Sequence, residues 1–185
     1  MPAIICMLRA VNVTGHNKIK MDALRSLCES LKLECVQTYV ASGNVVFVSK
    51  EKDLDGLSQR ISGAIHAKVG FQPDVILRTT AEMRRVIAKS PFAGRNAIEP
   101  AKLLVAFLAG DPGKAARDSL SKLDMRGEEL HPVGSELYIY FPNGMGRSKL
   151  PWPAINKALG VPSTGRNWNT VLKLREMAEA LEKSA

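Results

Sequence analysis

Apolar and polar positions along this chain fall into short blocks that predict an ordered series of strands and helices. Residues 3–8, AIICML, form an unbroken apolar run with the length of a buried strand. A polar, turn-rich stretch comes next, over residues 9–20. Leu24, Leu27, Cys28 and Leu31 then recur at helical spacing behind Asp22, which predicts a helix over residues 22–33. Residues 34–40 and 45–48 read as two strands joined by the tight turn Ala41-Ser42-Gly43-Asn44. Asp53 suits the N-cap of a helix that puts Leu54, Leu57, Ile61 and Ile65 on one face, and residues 73–78 form a fourth strand. Thr80 opens a short helix through Lys89, and a loop with two prolines spans residues 90–100.

The second half runs in a similar order. Residues 102–108, KLLVAFL, read as a strand. Asp111-Pro112 opens a helix with Ala116, Leu120 and Leu123. A hairpin turns at Gly134-Ser135 between residues 128–132 and 136–141. A loop, a helix over 150–159, a 160–165 link and a last helix complete the chain. The first half is β-α-β-β-α-β, the split order of a ferredoxin-like unit, and the second repeats it without its final strand. The expected class is therefore α+β. Two related ferredoxin-like βαββα subdomains, over residues 1–79 and 100–160, pack as one compact unit in a single domain over 1–185. Residues 80–99 connect them, and an extra C-terminal helix covers 166–182. No residue-level repeat accompanies the duplicated order.

This order has a geometric consequence. Right-handed crossovers make the strands at 3–8 and 34–40 run the same way. The loop over residues 9–20 and the turn Ser42-Gly43-Asn44 should therefore meet at one edge of the sheet. By the same argument, the loop over residues 142–149 lies at the opposite edge of its own sheet from the Gly134-Ser135 turn.

Composition narrows the function classes. The chain has 185 residues, 45% hydrophobic and 24% charged, as expected of a soluble protein. No apolar run approaches the roughly 20 residues that span a bilayer. The N-terminus lacks a basic segment ahead of its apolar residues and reads as a strand rather than a signal peptide. Cys6 and Cys28 lie on apolar faces, and with Cys35 they make three cysteines. Buried thiols in a reducing, cytoplasmic compartment are the reading. No C-x-x-C pair or His/Cys ligand spacing implies a metal, and no cofactor motif occurs. The net charge of +8 favours a small anionic ligand or nucleic acid as partner, and without a spanning run no membrane partner is expected. Scattered cations and an aromatic content of 5% weigh against a base-stacking surface.

Four polar clusters carry the candidate chemistry. The first is Arg9, Asn12, Gly15, His16, Asn17 and Lys18, in a loop between a strand and a helix start. Arg9 and Lys18 suit phosphate or carboxylate charge, and His16 is the candidate acid/base. Ser42-Gly43-Asn44 gains interest from its expected closeness to that loop. Gly144-x-Gly146-Arg147-Ser148-Lys149 fits neither the Walker A nor the Rossmann pattern, which leaves a flexible loop with two cations before a helix. Arg166-Asn167-Trp168-Asn169-Thr170 precedes an amphipathic helix. There Asn167 suits a cap and Trp168 a core anchor, while Arg166 and Asn169 are surplus to folding. Helix starts hold anions well, because their N–H groups and dipole point outward. Nucleophile-elbow and H-E-x-x-H motifs are absent, and carboxylates are scarce in these clusters.

Four segments, LRAVNVTGHNKIKMDALRSL, TYVASGNVVF, GMGRSKL and TGRNWNTVLKL, together resemble the domain-of-unknown-function 1697 family of small, mainly bacterial proteins. The family's opening is similar to L-R-G-I-N-V-G-G-x-N. Ala10 and Thr14 here stand where glycine is usual, and Lys20 where proline is common. The resemblance implies an α+β fold of two related subdomains and brings no established activity. Three readings are open. The chain binds a small phosphorylated or nucleotide-like anion, with Arg147, Lys149 and Arg166 holding charge and Asn12, Asn44 and Asn169 orienting it. It is a nucleic-acid module. Or these motifs, with Ser148, lock two subdomains together.

Overall fold

The structure is a computed structural model that describes residues 1–13 and 15–184. It divides into two compact units, Met1–Arg84 with Lys173–Ala185, and Arg85–Leu172.

The first unit contains β1 (Ala3–Leu8), α1 (Met21–Ser30), β2 (Glu34–Tyr39), β3 (Asn44–Val48), α2 (Leu54–Val69) and β4 (Val75–Thr79), and the next helix, α3 (Thr80–Ala88), begins in it. Its sheet has the order β2-β3-β1-β4 with antiparallel neighbours throughout. Both β1 and β2 run against β3, so they run the same way, as the crossover argument requires. Ile4, Cys6, Leu8, Val45, Phe47 and Leu77 face Leu24, Leu27, Cys28, Leu57, Ile61 and Ile65 of the helices in one core. The alternate residues Ala3, Ile5, Met7, Val46, Val48 and Ile76 are buried as well. Burial on both faces explains why β1 reads as an unbroken apolar run rather than an alternating one.

Helix ends follow local chemistry. Asp53 caps α2 by accepting from the Gly56 N–H at 2.9 Å, and Gly70 ends that helix at φ 80°. At α3 the cap is Thr79 rather than Thr80. The Glu82 N–H donates to Thr79 Oγ1 at 3.2 Å, and the Thr79 N–H donates to Glu82 Oε2 at 2.8 Å. This reciprocal box leaves the Thr80 hydroxyl to donate to the Ala3 carbonyl at 3.3 Å.

The second unit contains β5 (Leu103–Leu108), α4 (Gly113–Leu120), β6 (Glu129–Val133), β7 (Glu136–Tyr140), α5 (Trp152–Leu159) and β8 (Ser163–Asn167). The last helix, α6 (Trp168–Ser184), starts here and ends in the first unit. The sheet order is β6-β7-β5-β8. The sequence pattern missed β8 and took its residues as a link and a helix start. Its sequence STGRN has no apolar residue, and only Thr164 and Arg166 within it are buried. An edge strand pairs on one side only, so backbone bonds to β5 can hold it without a hydrophobic signature.

With β8 in place, each unit is β-α-β-β-α-β, consistent with two ferredoxin-like subdomains. The repeat extends to register. Leu8 pairs with Val75 and Leu108 with Ser163, while Met7 pairs with Asn44 and Phe107 with Glu136. Cys6 and Cys28 are buried and Cys35 is exposed. Burial, with a smaller push from Glu29, raises the Cys28 thiol to about 12. Among the described residues no helix is long and apolar enough to cross a membrane, and no group of three or more His, Cys, Asp or Glu side chains could hold a metal ion.

Candidate functional site

The predicted residues fall into two groups, one in each unit. In the first unit the chain leaves β1 at Leu8, whose N–H donates to the Gly43 carbonyl at 2.9 Å. The Arg9 N–H donates to the Asp74 carbonyl at 3.0 Å. Loop 9–20 and the β2–β3 turn therefore meet at one sheet edge, as the topology predicts. Gly43 is required at this meeting. Its φ is +75°, and an added Cβ would lie 2.9 Å from the Leu8 Cβ.

The loop holds its shape with its own amides. Ala10, Asn12 and Asn17 take left-handed φ values of 55°, 55° and 51°. The Asn12 N–H donates to the Asn17 carbonyl at 3.1 Å, and the His16 N–H to the Val13 carbonyl at 3.0 Å. The Asn12 Nδ2 donates to the carbonyls of Ile19 at 3.0 Å and Ala41 at 2.8 Å, and its Oδ1 accepts from the Ile19 N–H at 2.9 Å. Three of the four bonds that an Asn amide can make are thus spent, two on closing the loop at Ile19 and one on tying it to the β2–β3 turn at Ala41. Asn17 Nδ2 donates to the Ala10 carbonyl at 3.0 Å. Fully buried Asn44 donates to the Tyr39 carbonyl at 3.0 Å and to Ser42 Oγ at 2.9 Å. Arg9 pairs with Asp74 at 2.9 Å, with both side chains more than 40% exposed, so the pair contributes little stability. Thr14 lies outside the described residues.

His16, Lys18 and Lys20 are different. They are exposed, and among the described residues their side chains make no hydrogen bond or ion pair. Lys18 and Lys20 border an open depression of about 530 Å³ with Asn12, Gly15 and Ile19. Helix α1 begins beside it, and its N-cap residue, Lys20, contributes no side-chain bond to the first turn. Lys20 was not among the residues expected from sequence. The signal for it was present, since it directly precedes the helix.

In the second unit, Arg147 ends a 3₁₀ turn over Met145–Arg147, and Ser148 Oγ accepts from the Leu150 N–H at 3.2 Å. Arg147 and Lys149 are exposed, without a side-chain hydrogen bond or ion pair among the described residues. Arg166 is only 6% exposed and lies within β8 rather than in a helix entrance. Its guanidinium donates to Thr164 Oγ1 at 2.7 Å and to the Gly165 carbonyl at 2.9 Å. Asn167 caps α6, its Oδ1 accepting from the Thr170 N–H at 2.9 Å. Trp168 is half-buried rather than a core anchor, and Asn169 is exposed. Because Leu103 pairs with Tyr140 and Leu104 with Asn167, the chain leaves β7 and β8 at the same sheet edge. The loop that carries Arg147 starts at that edge, away from the Gly134-Ser135 turn.

One constellation went unread in the sequence. Arg95 donates twice to Glu129, at 2.8 and 2.9 Å, and stands 5.2 Å over the Phe92 ring. His131 Nε2 lies 3.5 Å from Glu129 Oε2, and its ring meets Phe92 edge-on at 5.2 Å. Arg95 holds the Glu129 carboxyl below the usual carboxylate range. Partners 34 residues apart leave no local pattern to find.

A solved structure of a conserved bacterial protein, SP0830 from Streptococcus pneumoniae, is similar to this chain with a TM-score of 0.73 and 22% identity. The match covers 97% of this chain and 99% of that one, and at this identity it shows the fold alone. No curated protein matches the chain. The model of the family described as "Protein of unknown function (DUF1697)" matches residues 1–138. The chain thus belongs to the DUF1697 family.

Proposed function

We propose that this chain binds a small anion, phosphorylated or nucleotide-like, at the β1–α1 edge of its first unit. One observation carries the reading: Lys18 and Lys20, without acidic partners among the described residues, flank an open depression at the start of α1. Positive side chains and the positive end of a helix dipole then act on the same ligand. Asn12 and Asn17 keep the loop in one shape, and Asn44 with Ser42 does the same for the turn beside it, which lowers the ordering cost of binding. Arg9 can turn from Asp74 to the ligand, and His16 is the group on this loop suited to exchange a proton. Arg147 and Lys149 form a second cationic patch in the second unit. The net charge of +8 supports an anionic partner in either place.

A specific observation favours a structural role for the Arg166–Asn167 cluster. Arg166 is buried with its guanidinium bonded to Thr164 and to the Gly165 carbonyl, and Asn167 serves as a helix cap.

The test is thermal unfolding with inorganic phosphate, pyrophosphate or AMP, against chloride at equal ionic strength. Ligand at tenfold its Kd stabilises by about 1.4 kcal/mol, or a Tm rise of roughly 3–6 °C. Lys18→Ala with Lys20→Ala should abolish the rise while costing under about 0.5 kcal/mol of stability. Arg166→Ala should lower stability by about 2 kcal/mol and leave the ligand response in place. A panel without any shift at millimolar ligand would sink the proposal. A shift that survives the double lysine variant but is lost in Arg147→Ala would move the site to the second unit.

A further inference from the structure

The second unit holds a cleft that the anion reading leaves unused. It lies between β6, α4 and the chain over residues 121–128, and measures about 350 Å³. Small-molecule clefts begin at roughly 300 Å³. Leu120 and Leu137, both almost fully buried, line it together with Leu123 and Leu130. β6 is an edge strand paired only to β7. Pro132, also in the cleft lining, has no N–H to offer another strand.

The charges around this cleft mostly cancel. Arg117 is held by Asp111 at 2.6 Å and by the Gly134 carbonyl at 3.3 Å. Glu129 is held by two bonds from Arg95, with His131 beside it. Glu128 is what remains. It lines the cleft, and its Oε2 is shut off from solvent with no hydrogen-bond partner among the described residues. A carboxylate oxygen that has lost water and gained no donor is a missing interaction rather than a neutral detail. The terminal torsion of a glutamate is soft and broad, so a partial turn carries Oε2 out of its buried position to where a donor in the cleft can reach it. The chain is basic, with a net charge of +8, so this unspent negative group beside an apolar wall runs against the rest of the molecule.

We propose that the cleft takes a small organic cation: an ammonium or amidinium group on an apolar body about the size of one aromatic ring. The cation donates to Glu128, and the body covers Leu120, Leu123, Leu130 and Leu137.

The experiment titrates the full-length ¹⁵N-labelled chain with 2-phenylethylamine, 2-phenylethanol and 3-phenylpropionate, following amide shifts over residues 117–137. The amine should saturate these shifts at millimolar concentration. Glu128→Gln should weaken the amine about tenfold and leave the alcohol unchanged. Ser121→Tyr, a change at an exposed rim position, should block both without unfolding the chain. If Glu128→Gln fails to fold, Glu128→Asp keeps the charge on a shorter stem and should bind the amine less tightly than the parent. The proposal falls if the carboxylate binds as well as the amine, if loss of the Glu128 charge leaves the amine unaffected, or if no shift saturates by about 20 mM.

Discussion

The C-terminal ends of β1 and β5 are the same place in two copies of one architecture. Leu8 donates its N–H to the Gly43 carbonyl at 2.9 Å, and Leu108 donates to the Ser135 carbonyl at 2.9 Å. The next residues repeat the correspondence, Arg9 bonding the Asp74 carbonyl and Ala109 the Pro162 carbonyl. Beyond these bonds the two edges diverge. From Leu8 the chain takes twelve residues to reach α1 at Met21, and from Leu108 only four to reach α4 at Gly113. The short connection closes with Asp111, whose Oδ1 accepts from the Gly113 N–H at 2.7 Å and pairs with Arg117. Those bonds hold the Asp111 carboxyl below its usual range. The long connection instead spends its asparagines on its own backbone and on Ala41, and leaves two lysines unpaired among the described residues. Both edges are equally well built as supports. Only the first has chain to spare for the proposed site, which teaches that the duplicated frame fixes position while the loop decides which polar groups stay unpaired.

The largest expected effect tests the turn that supports each edge. Gly43→Ala meets both a positive φ and the Leu8 Cβ, and should destabilise by about 3 kcal/mol in urea unfolding. Gly134→Ala, at φ +60° but with its nearest atom 4.0 Å away, should cost about 1 kcal/mol. Equal losses would mean that the close approach at Gly43 is not what distinguishes the edges.

Next comes the clamp that the second unit lacks. Asn12→Ala removes three hydrogen bonds and should cost about 2 kcal/mol. It should also weaken phosphate binding by loosening loop 9–20. Hydrogen exchange at the Ile19 amide should speed up, and an unchanged rate would refute the clamp.

A smaller effect appears on alkaline titration. The folded Cys28 thiol keeps its proton to about 12, while an ordinary thiol loses it near 9.0. The unfolded chain then binds fewer protons, so stability falls as pH rises above about 9, by at most about 1.4 kcal/mol per unit. Tyr138 in the second unit is raised by burial in the same sense, from a usual value of 10.0, so its contribution starts one unit later. Cys28→Ala should flatten the slope that opens near pH 9 and keep the later one. A slope that is the same in both proteins would show that Cys28 does not govern it.

The smallest effect concerns Ala10, left-handed at φ 55°. Glycine there should relieve strain worth about 1–2 kcal/mol and lose part of it to unfolded-state entropy, for a net gain of roughly 0.5 kcal/mol. A loss of stability would show that the methyl group contributes packing that offsets its strain.

Much of the frame is legible in the residues because burial is written in apolar spacing. The runs AIICML and KLLVAFL, and the face formed by Leu57, Ile61 and Ile65, report it directly. The meeting of loop 9–20 with the β2–β3 turn was legible too, since crossover handedness fixes it without knowledge of side chains. β8 was not, because an edge strand held by backbone bonds need not be apolar. The candidate residues were legible as polar clusters, but not their division of labour. Asn12, Asn44 and Lys18 look alike in sequence as polar loop residues, and only the folded chain shows which of them are already bonded.

The sequence by itself determined the two α+β halves, the edge on which the first loop lies, and the family to which the chain belongs. These depend on periodicity, on chirality and on a run of matching residues, all of which are local or topological. The tertiary structure decided that Asn12 serves the loop and Asn44 the turn beside it, that Arg166 is buried in a strand, and that Lys18 and Lys20 remain unpaired among the described residues. It also brought Arg95 to Glu129 and left Glu128 Oε2 without a donor among the described residues. Hydrogen-bond saturation and burial are properties of three-dimensional neighbours, and a residue's type records its capacity for bonds, not whether they have been filled.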